Sequence, residues 1–112
     1  MGRRNRILGR HVVSGNGSYT VWRYDKEEIA LALATKASGL LPPGVTGTAS
    51  VSRVKRTKKG SDTTSYIPTV RVGELEYYVA IDSDGETPVA LRYPKNAHPS
   101  IQLLQKSKEV TS

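Results

Sequence analysis

Two histidines are the residues of this chain whose type could most directly bind a metal ion or act as a general base. His11 and His98 stand far apart in the sequence, and neither has a second histidine or a carboxylate at ligand spacing. The chain contains no cysteine, which removes thiolate nucleophiles and Cys-based zinc sites. Ser, Thr and Lys occur without the spacing of a nucleophile elbow, an S-x-x-K motif or a phosphate-binding loop. The sequence therefore predicts a protein that is not an enzyme and that has no metal or cofactor.

Carboxylates come closest to a chemical motif between residues 74 and 86. The stretch Asp82-x-Asp84-Gly85 matches the start of a calcium-binding loop, but the third acid and the distal glutamate are missing. A hairpin turn, in which Asp and Gly are favoured for their backbone geometry, is the preferred interpretation. Glu74 and Glu76 could form an acid–base pair only in a cleft, and at alternate positions of a strand we expect them to be solvated charges.

Charge is sorted into blocks along the chain, which has 17 Lys and Arg, 10 Asp and Glu and a formal net charge of +7. The two basic blocks and the acidic block are candidate contact residues: Arg3, Arg4, Arg6 and Arg10; Arg53, Lys55, Arg56, Lys58 and Lys59; Glu74, Glu76, Asp82, Asp84 and Glu86. Clustered cations attract phosphate and release its counterions. Separated basic and acidic blocks can also complement copies of the same chain. Both uses of the charge remain open.

The apolar composition is thin for the length of the chain. The 112 residues are enough for one domain, but they include no Phe, one Trp and six Tyr. Such a chain fits a protein that completes its burial against a partner or a copy, with an ordinary small domain as the alternative. No apolar run could span a bilayer, and no apolar segment follows the basic N-terminus as in a signal peptide. We therefore expect synthesis in the cytoplasm and no membrane partner.

The first third of the chain is predicted to contain an arm and a helix. Residues 1–18 are basic and glycine-rich, which predicts a flexible N-terminal arm that is ordered only by contact with something else. Residues 19–24 could form a short strand or an apolar lead-in to the helix. An Ala-rich helix is predicted over 26–38, with Asp25 as its cap and Glu28 at capping-box spacing. Its apolar face is widened by Leu31, and Gly39 ends it.

The rest of the chain is predicted to be β, with strands over 46–56, 63–72, 75–82 and, as a strand or one turn of helix, 88–93. Pro68 cannot donate to a sheet ladder, which predicts an edge strand or an outward-pointing position. The fold class is therefore α+β: one Ala-rich helix packed on a small, mainly antiparallel sheet in a single domain over 19–104, followed by a polar tail over 105–112.

The basic hairpin between Arg53 and Lys59 could lie along a nucleic-acid backbone. It contains no aromatic residue for base stacking, so such a contact would be electrostatic and nonspecific. The alternative is a solvated hairpin tip that pairs with acids of a neighbouring chain.

The order of elements resembles that of the neck or tail-completion proteins of long-tailed bacteriophages, over about residues 26–104. The resemblance is carried by an Ala-rich helix, a Pro/Thr-Gly start to the next strand and a Tyr-Val-Ala segment before an Ala-Leu pair: Pro42, Pro43, Thr46, Gly47 and Ser50, then Tyr78, Val79, Ala80, Ala90 and Leu91. The family lies between the capsid portal and the tail tube. Here Ala49 replaces a larger apolar residue, and Arg92-Tyr93-Pro94 replaces the usual ending.

The resemblance implies a structural virion protein at the head–tail junction, as an adaptor, stopper, neck or terminator component. Copies would form a homo-oligomeric ring, six-fold by this likeness, around the channel through which DNA passes. Its partners would be other connector and tail proteins, with nonspecific contact to channel DNA. A ring needs two different complementary surfaces on each subunit. The basic residues of the arm or hairpin would meet the acidic block of the next subunit.

Overall fold

The computed structural model describes residues 7–13, 19–82, 84–95 and 97–105. Its elements in chain order are β1 (Ile7–Val13), β2 (Tyr19–Tyr24), α1 (Glu27–Ser38), β3 (Thr48–Lys58), β4 (Ser61–Val72), β5 (Leu75–Ile81), β6 (Pro88–Arg92) and β7 (Ile101–Gln102). One helix packs on an antiparallel sheet, which confirms the predicted α+β class. The segments left open at 19–24 and 88–93 are both strands.

β4 is the centre of the sheet. β3 pairs with it over its whole length, from Lys58↔Ser61 to Thr48↔Arg71. The opposite edge of β4 is shared by β2, at Tyr24↔Tyr66, and by β5, at 69–72. From there the sheet continues through β6 to β7 on one side and through β2 to β1 on the other.

Of the two alternatives predicted for Pro68, the edge strand is wrong, because β4 has neighbours on both sides. Pro68 faces Val51 of β3. On its other side it lies between the pairing of Tyr66 with β2 and the pairing of Thr69 with β5. A proline is tolerated there because no registered partner on that side needs its missing N–H.

Part of the predicted N-terminal arm belongs to the sheet. Ile7–Val13 is a strand that pairs antiparallel with β2, with a register shift between Ile7 and Gly9. The strand-favouring residues at its two ends fit this pairing better than an arm. Arg10 lies in this strand, opposite Trp22. Arg3, Arg4 and Arg6, and the tail beyond Gln105, lie outside the described residues.

The helix begins one residue later than predicted and without the predicted cap. Its N-cap residue is Lys26, which makes no side-chain cap hydrogen bond, so the Asp25–Glu28 capping box is not formed. Glu27 and Glu28 still lie in the first turn, where the helix dipole favours anions. The helix ends at Gly39 as expected.

The core lies between α1 and one face of the sheet, which we call the inner face. The helix buries Leu33 together with Ala30, Ala34 and Ala37, and the small side chains of the three alanines let the sheet approach closely. Leu31 does not widen this face, since it is 43% exposed. The sheet contributes a buried set to the same cluster: Tyr24, Val70, Tyr77, Val79, Ile81 and Leu91. A second, smaller cluster of Val21 and Ile67 lies on the opposite, outer face.

Candidate functional site

The β3–β4 hairpin extends past the rest of the sheet. Beyond the pair Tyr24↔Tyr66, the described residues 54–65 have no strand partner except each other. We call this segment the ribbon. Its five residue pairs, from Val54↔Ser65 to Lys58↔Ser61, span about 15 Å at the usual rise of a strand. Most of its described side chains are exposed.

A tight two-residue loop closes the ribbon. Lys59 and Gly60 both have positive φ, at 53° and 79°, which is the pattern of a type I′ hairpin turn. One step back, the Thr57 hydroxyl donates a 2.7 Å hydrogen bond to the Asp62 carboxylate. The turn and this cross-strand bond fix the register of the ribbon tip.

The basic residues of the hairpin divide between the two faces of the sheet. Because side chains alternate along a strand, Arg53 and Lys55 share the inner face with Val51, whereas Arg56 lies on the outer face with Val54. Arg53 forms an ion pair of 2.5 Å with Glu27 in the first turn of α1. One of the predicted contact cations therefore has its partner within the chain.

Arg56 shares the outer face with Arg23 of β2, which lies outside the basic blocks of the sequence. Burial, and then the positive charge of Arg56, lower the pKa of the Arg23 guanidinium below its usual value. The Arg23 Nε is buried and has no hydrogen-bond partner among the described groups. The alternation of β2, with Val21 on the outer face and Tyr24 in the core, was the sequence signal for the position of Arg23.

The acidic block is used largely inside the chain. Asp84 Oδ1 accepts hydrogen bonds from the backbone amides of Glu86 (2.7 Å) and Thr87 (2.9 Å), and the Thr87 hydroxyl donates to Oδ2. Burial alone would raise the pKa of Asp84, but these hydrogen bonds and the nearby Lys36 hold it below its ordinary value. Asp84 thus orders the β5–β6 turn, and the turn interpretation of residues 82–86 is confirmed.

Glu76 is also engaged within the sheet. It accepts a 2.9 Å hydrogen bond from the buried hydroxyl of Thr69 and lies 3.9 Å from the guanidinium of Arg71. Burial and the charge of Glu76 raise the pKa of Tyr78. Glu74, by contrast, is exposed and makes no ion pair with a described residue. Among the described residues, the hairpin cations and the acidic block are therefore not brought together into one site.

The histidines lie in separate places. His11 is in β1, and the exposed His98 packs edge-on against Tyr93 with ring centres 4.7 Å apart. Among the described residues, no group of three or more His, Asp or Glu side chains is placed to hold a metal ion. The same part of the chain contains no helix with the length and apolar character needed to cross a bilayer.

Comparison with known proteins leaves the family open. No family model, no curated protein and no solved structure matches this chain.

Proposed function

We propose that the protein is a structural subunit that self-assembles, and that the assembly is a ring in the head–tail connector of a long-tailed bacteriophage. The ribbon is the observation that supports self-assembly most directly. It leaves the sheet as two strands without a layer packed over its tip, and isolated two-stranded ribbons are only marginally stable in water. Contact with a neighbouring subunit would supply the missing support.

The ion pairs and hydrogen bonds within the chain reduce the number of charged residues that are candidates for this contact. Arg53, Glu76 and Asp84 have partners within the chain, so they are poor candidates for an inter-subunit pair. Lys55, Lys59 and Glu74 are exposed. We propose that the ribbon cations lie against an acidic surface of the next subunit, in a head-to-tail contact that can close into a ring.

The resemblance to neck and tail-completion proteins supports the ring in particular. The Thr46-Gly47 pair that carries part of it has a structural reason in this fold. A Cβ at Gly47 would lie 2.6 Å from Val70 Cγ1 and 3.2 Å from the Arg71 carbonyl oxygen, so the chain passes close to β4 only with glycine there. The Ala-rich helix, also part of the likeness, packs on the same strand.

Sedimentation velocity of the purified full chain over a range of protein concentration and salt tests self-assembly, and negative-stain images of the largest species test the ring. We expect a discrete oligomer whose end-on views show rotational symmetry, six-fold by the likeness. A chain that stays monomeric at every concentration and salt would overturn the proposal. An open filament or a two-fold dimer would overturn the ring.

A pair of charge reversals tests the role of the ribbon. Lys55→Glu combined with Lys59→Glu should weaken the oligomer, because it reverses the two exposed cations proposed to face a neighbour. Lys26→Glu combined with Lys95→Glu, which reverses two exposed lysines outside the ribbon, is the matched control and should leave the sedimentation coefficient unchanged. Equal effects of the two changes would contradict a specific contact through the ribbon.

A further inference from the structure

Arg23 and Arg56 lie diagonally across β4 on the outer face of the sheet, since Arg23 is adjacent to the pair Tyr24↔Tyr66 and Arg56 pairs with Thr63. β2 and β3 flank β4, and neighbouring strands lie about 4.8 Å apart, so two long arginine side chains can converge above the central strand. Ser65 and Thr63 of β4 lie between them, opposite Val54 and Arg56. The place where the ribbon leaves the sheet therefore combines two guanidinium groups with the exposed hydroxyl of Thr63.

These two arginines differ from the other described arginines near the hairpin in having no anionic partner. Arg53 is paired with Glu27 and Arg71 with Glu76. Arg23 and Arg56 form no ion pair with any described residue, although they are close enough for the charge of one to lower the pKa of the other. Two like charges held together without a counterion are unfavourable, and an anion bound between them would relieve that repulsion.

We propose that Arg23 and Arg56 form a binding site for a phosphodiester group of a nucleic-acid backbone. Guanidinium groups donate two parallel hydrogen bonds to phosphate oxygens. The exposed hydroxyl of Thr63 adds a further donor of the kind that contacts backbone phosphates, whereas the buried Ser65 hydroxyl donates to the Val54 carbonyl. The described ribbon has no aromatic side chain on which a base could stack, so recognition is of the backbone and independent of sequence.

A phosphate fits this site better than a carboxylate from a second copy of the chain. Of the ten acids of the chain, Glu27 is ion-paired internally, and Glu76 and Asp84 accept internal hydrogen bonds. The chain as a whole carries an excess of seven positive charges, which a nucleic acid neutralises and a copy of the chain does not. The site uses the outer face of the ribbon and does not require the proposed ring.

The experiment is fluorescence anisotropy of a labelled 20-base-pair DNA duplex with the full chain, repeated over a series of salt concentrations. For the unsubstituted chain we expect affinity that falls steeply with salt and is equal for duplexes of different sequence. Arg56→Gln should reduce the slope of log K against log salt by about 0.9, the value for one lost phosphate contact. Because Arg56 is exposed, its replacement should leave the fold intact.

Arg53→Gln is the matched control. It removes the same charge from the same strand three residues away, but from a guanidinium that already has Glu27 as its partner. Its salt slope should equal that of the unsubstituted chain. Equal slopes for the two variants would overturn the proposed site, because they would show that only overall charge matters.

Arg23→Lys and Arg23→Gln test the second arginine, with a thermal melt to check folding. Arg23→Gln should lower the salt slope in the same way as Arg56→Gln, while Arg23→Lys should keep the slope and lose affinity, because it retains the charge without the bidentate geometry.

A competition experiment identifies the chemical class of the ligand. Displacement of DNA by polyphosphate but not by poly-glutamate supports a phosphate site, and equal displacement by poly-glutamate would instead assign the site to carboxylates of a neighbouring protein.

These outcomes are separable from those of the proposed function. A monomer that binds DNA through Arg56 would retain the phosphate site and overturn the ring. If the protein forms a ring and its DNA binding does not change when Arg23 or Arg56 is replaced, the ring stands and the phosphate site is overturned.

Discussion

The phenolic hydroxyl of Tyr24 donates a 3.0 Å hydrogen bond to the backbone carbonyl of Gly85, 61 residues later in the chain. The bond joins the end of β2 to the turn between β5 and β6, two segments that no strand pairing connects. Burial raises the pKa of Tyr24 far above its ordinary value, with further contributions from the negative charges of Asp84 and Glu86. The hydroxyl therefore keeps its proton and remains a donor at all working pH values.

Tyr24→Phe should destabilise the protein by about 1–3 kcal/mol, because it leaves the buried Gly85 carbonyl without a donor while keeping the ring in the core. Urea unfolding followed by circular dichroism measures this change. Tyr66→Phe is the control, since Tyr66 lies opposite Tyr24 in the sheet and its hydroxyl has no hydrogen-bond partner among the described groups. A similar loss for both variants would show that the hydroxyl of Tyr24 has no special role.

Asp84 should make stability depend on acid pH. Its pKa lies below the ordinary value in the folded protein, so its contribution is complete above the unfolded pKa of about 3.9 and is lost as the pH falls through the folded value. Asp84→Asn should therefore be less stable than the unsubstituted chain at pH 6, and the difference should shrink towards pH 3. Urea midpoints at several pH values check this.

The control for Asp84 is Glu74→Gln, which changes an exposed acid that makes no ion pair with a described residue. It should shift the urea midpoints little at any pH. If the gap between Asp84→Asn and the unsubstituted chain stayed constant from pH 6 to pH 3, the Asp84 carboxylate would not be the titrating group that stabilises the turn.

Local sequence signals predicted the individual helix and strands of this fold better than the way in which the strands pair. The Ala-rich helix and the alternating strand over 75–82 were readable because both patterns are periodic. The position of Pro68 in the middle of the sheet was not, since it depends on which two strands share the edge of β4. The strand at Ile7–Val13 was missed because its glycine and arginine residues obscure the strand pattern.

The contact residues follow the same rule. Charge blocks are visible in the sequence, but the partner of a charge is decided by tertiary structure. In the sequence Arg53 and Arg56 are equivalent members of one basic block, but in the structure the helix places Glu27 beside Arg53. Arg23 lies outside the charge blocks of the sequence; the alternation of β2 sets its face, and the pairing of β2 with β4 brings it near Arg56.

Two glycines should respond in opposite ways to alanine. At Gly47 a Cβ would meet Val70 Cγ1 at 2.6 Å and Leu41 Cδ1 at 3.0 Å, so Gly47→Ala should cost about 1–3 kcal/mol through overpacking. Gly39 has φ of −79° and would place its Cβ no closer than 3.5 Å to any atom outside its immediate neighbours. Gly39→Ala should stabilise by about 0.4–1 kcal/mol by restricting the unfolded chain. Thermal unfolding of both variants tests the pair, and destabilisation by Gly39→Ala would contradict it.

The turn of the ribbon offers the last test, because its two central residues differ in how well they suit positive φ. Lys59, at φ 53°, is the one described non-glycine residue in this region of conformational space, and an Asn-Gly pair is preferred in such turns. Lys59→Asn should therefore slow amide hydrogen exchange in the ribbon, whereas Gly60→Ala, at φ 79°, should accelerate it. Hydrogen exchange is the right measurement, since a projecting ribbon can open without unfolding the core. If a substitution changed amide hydrogen exchange equally in the ribbon and in β5, the ribbon would instead open together with the whole domain.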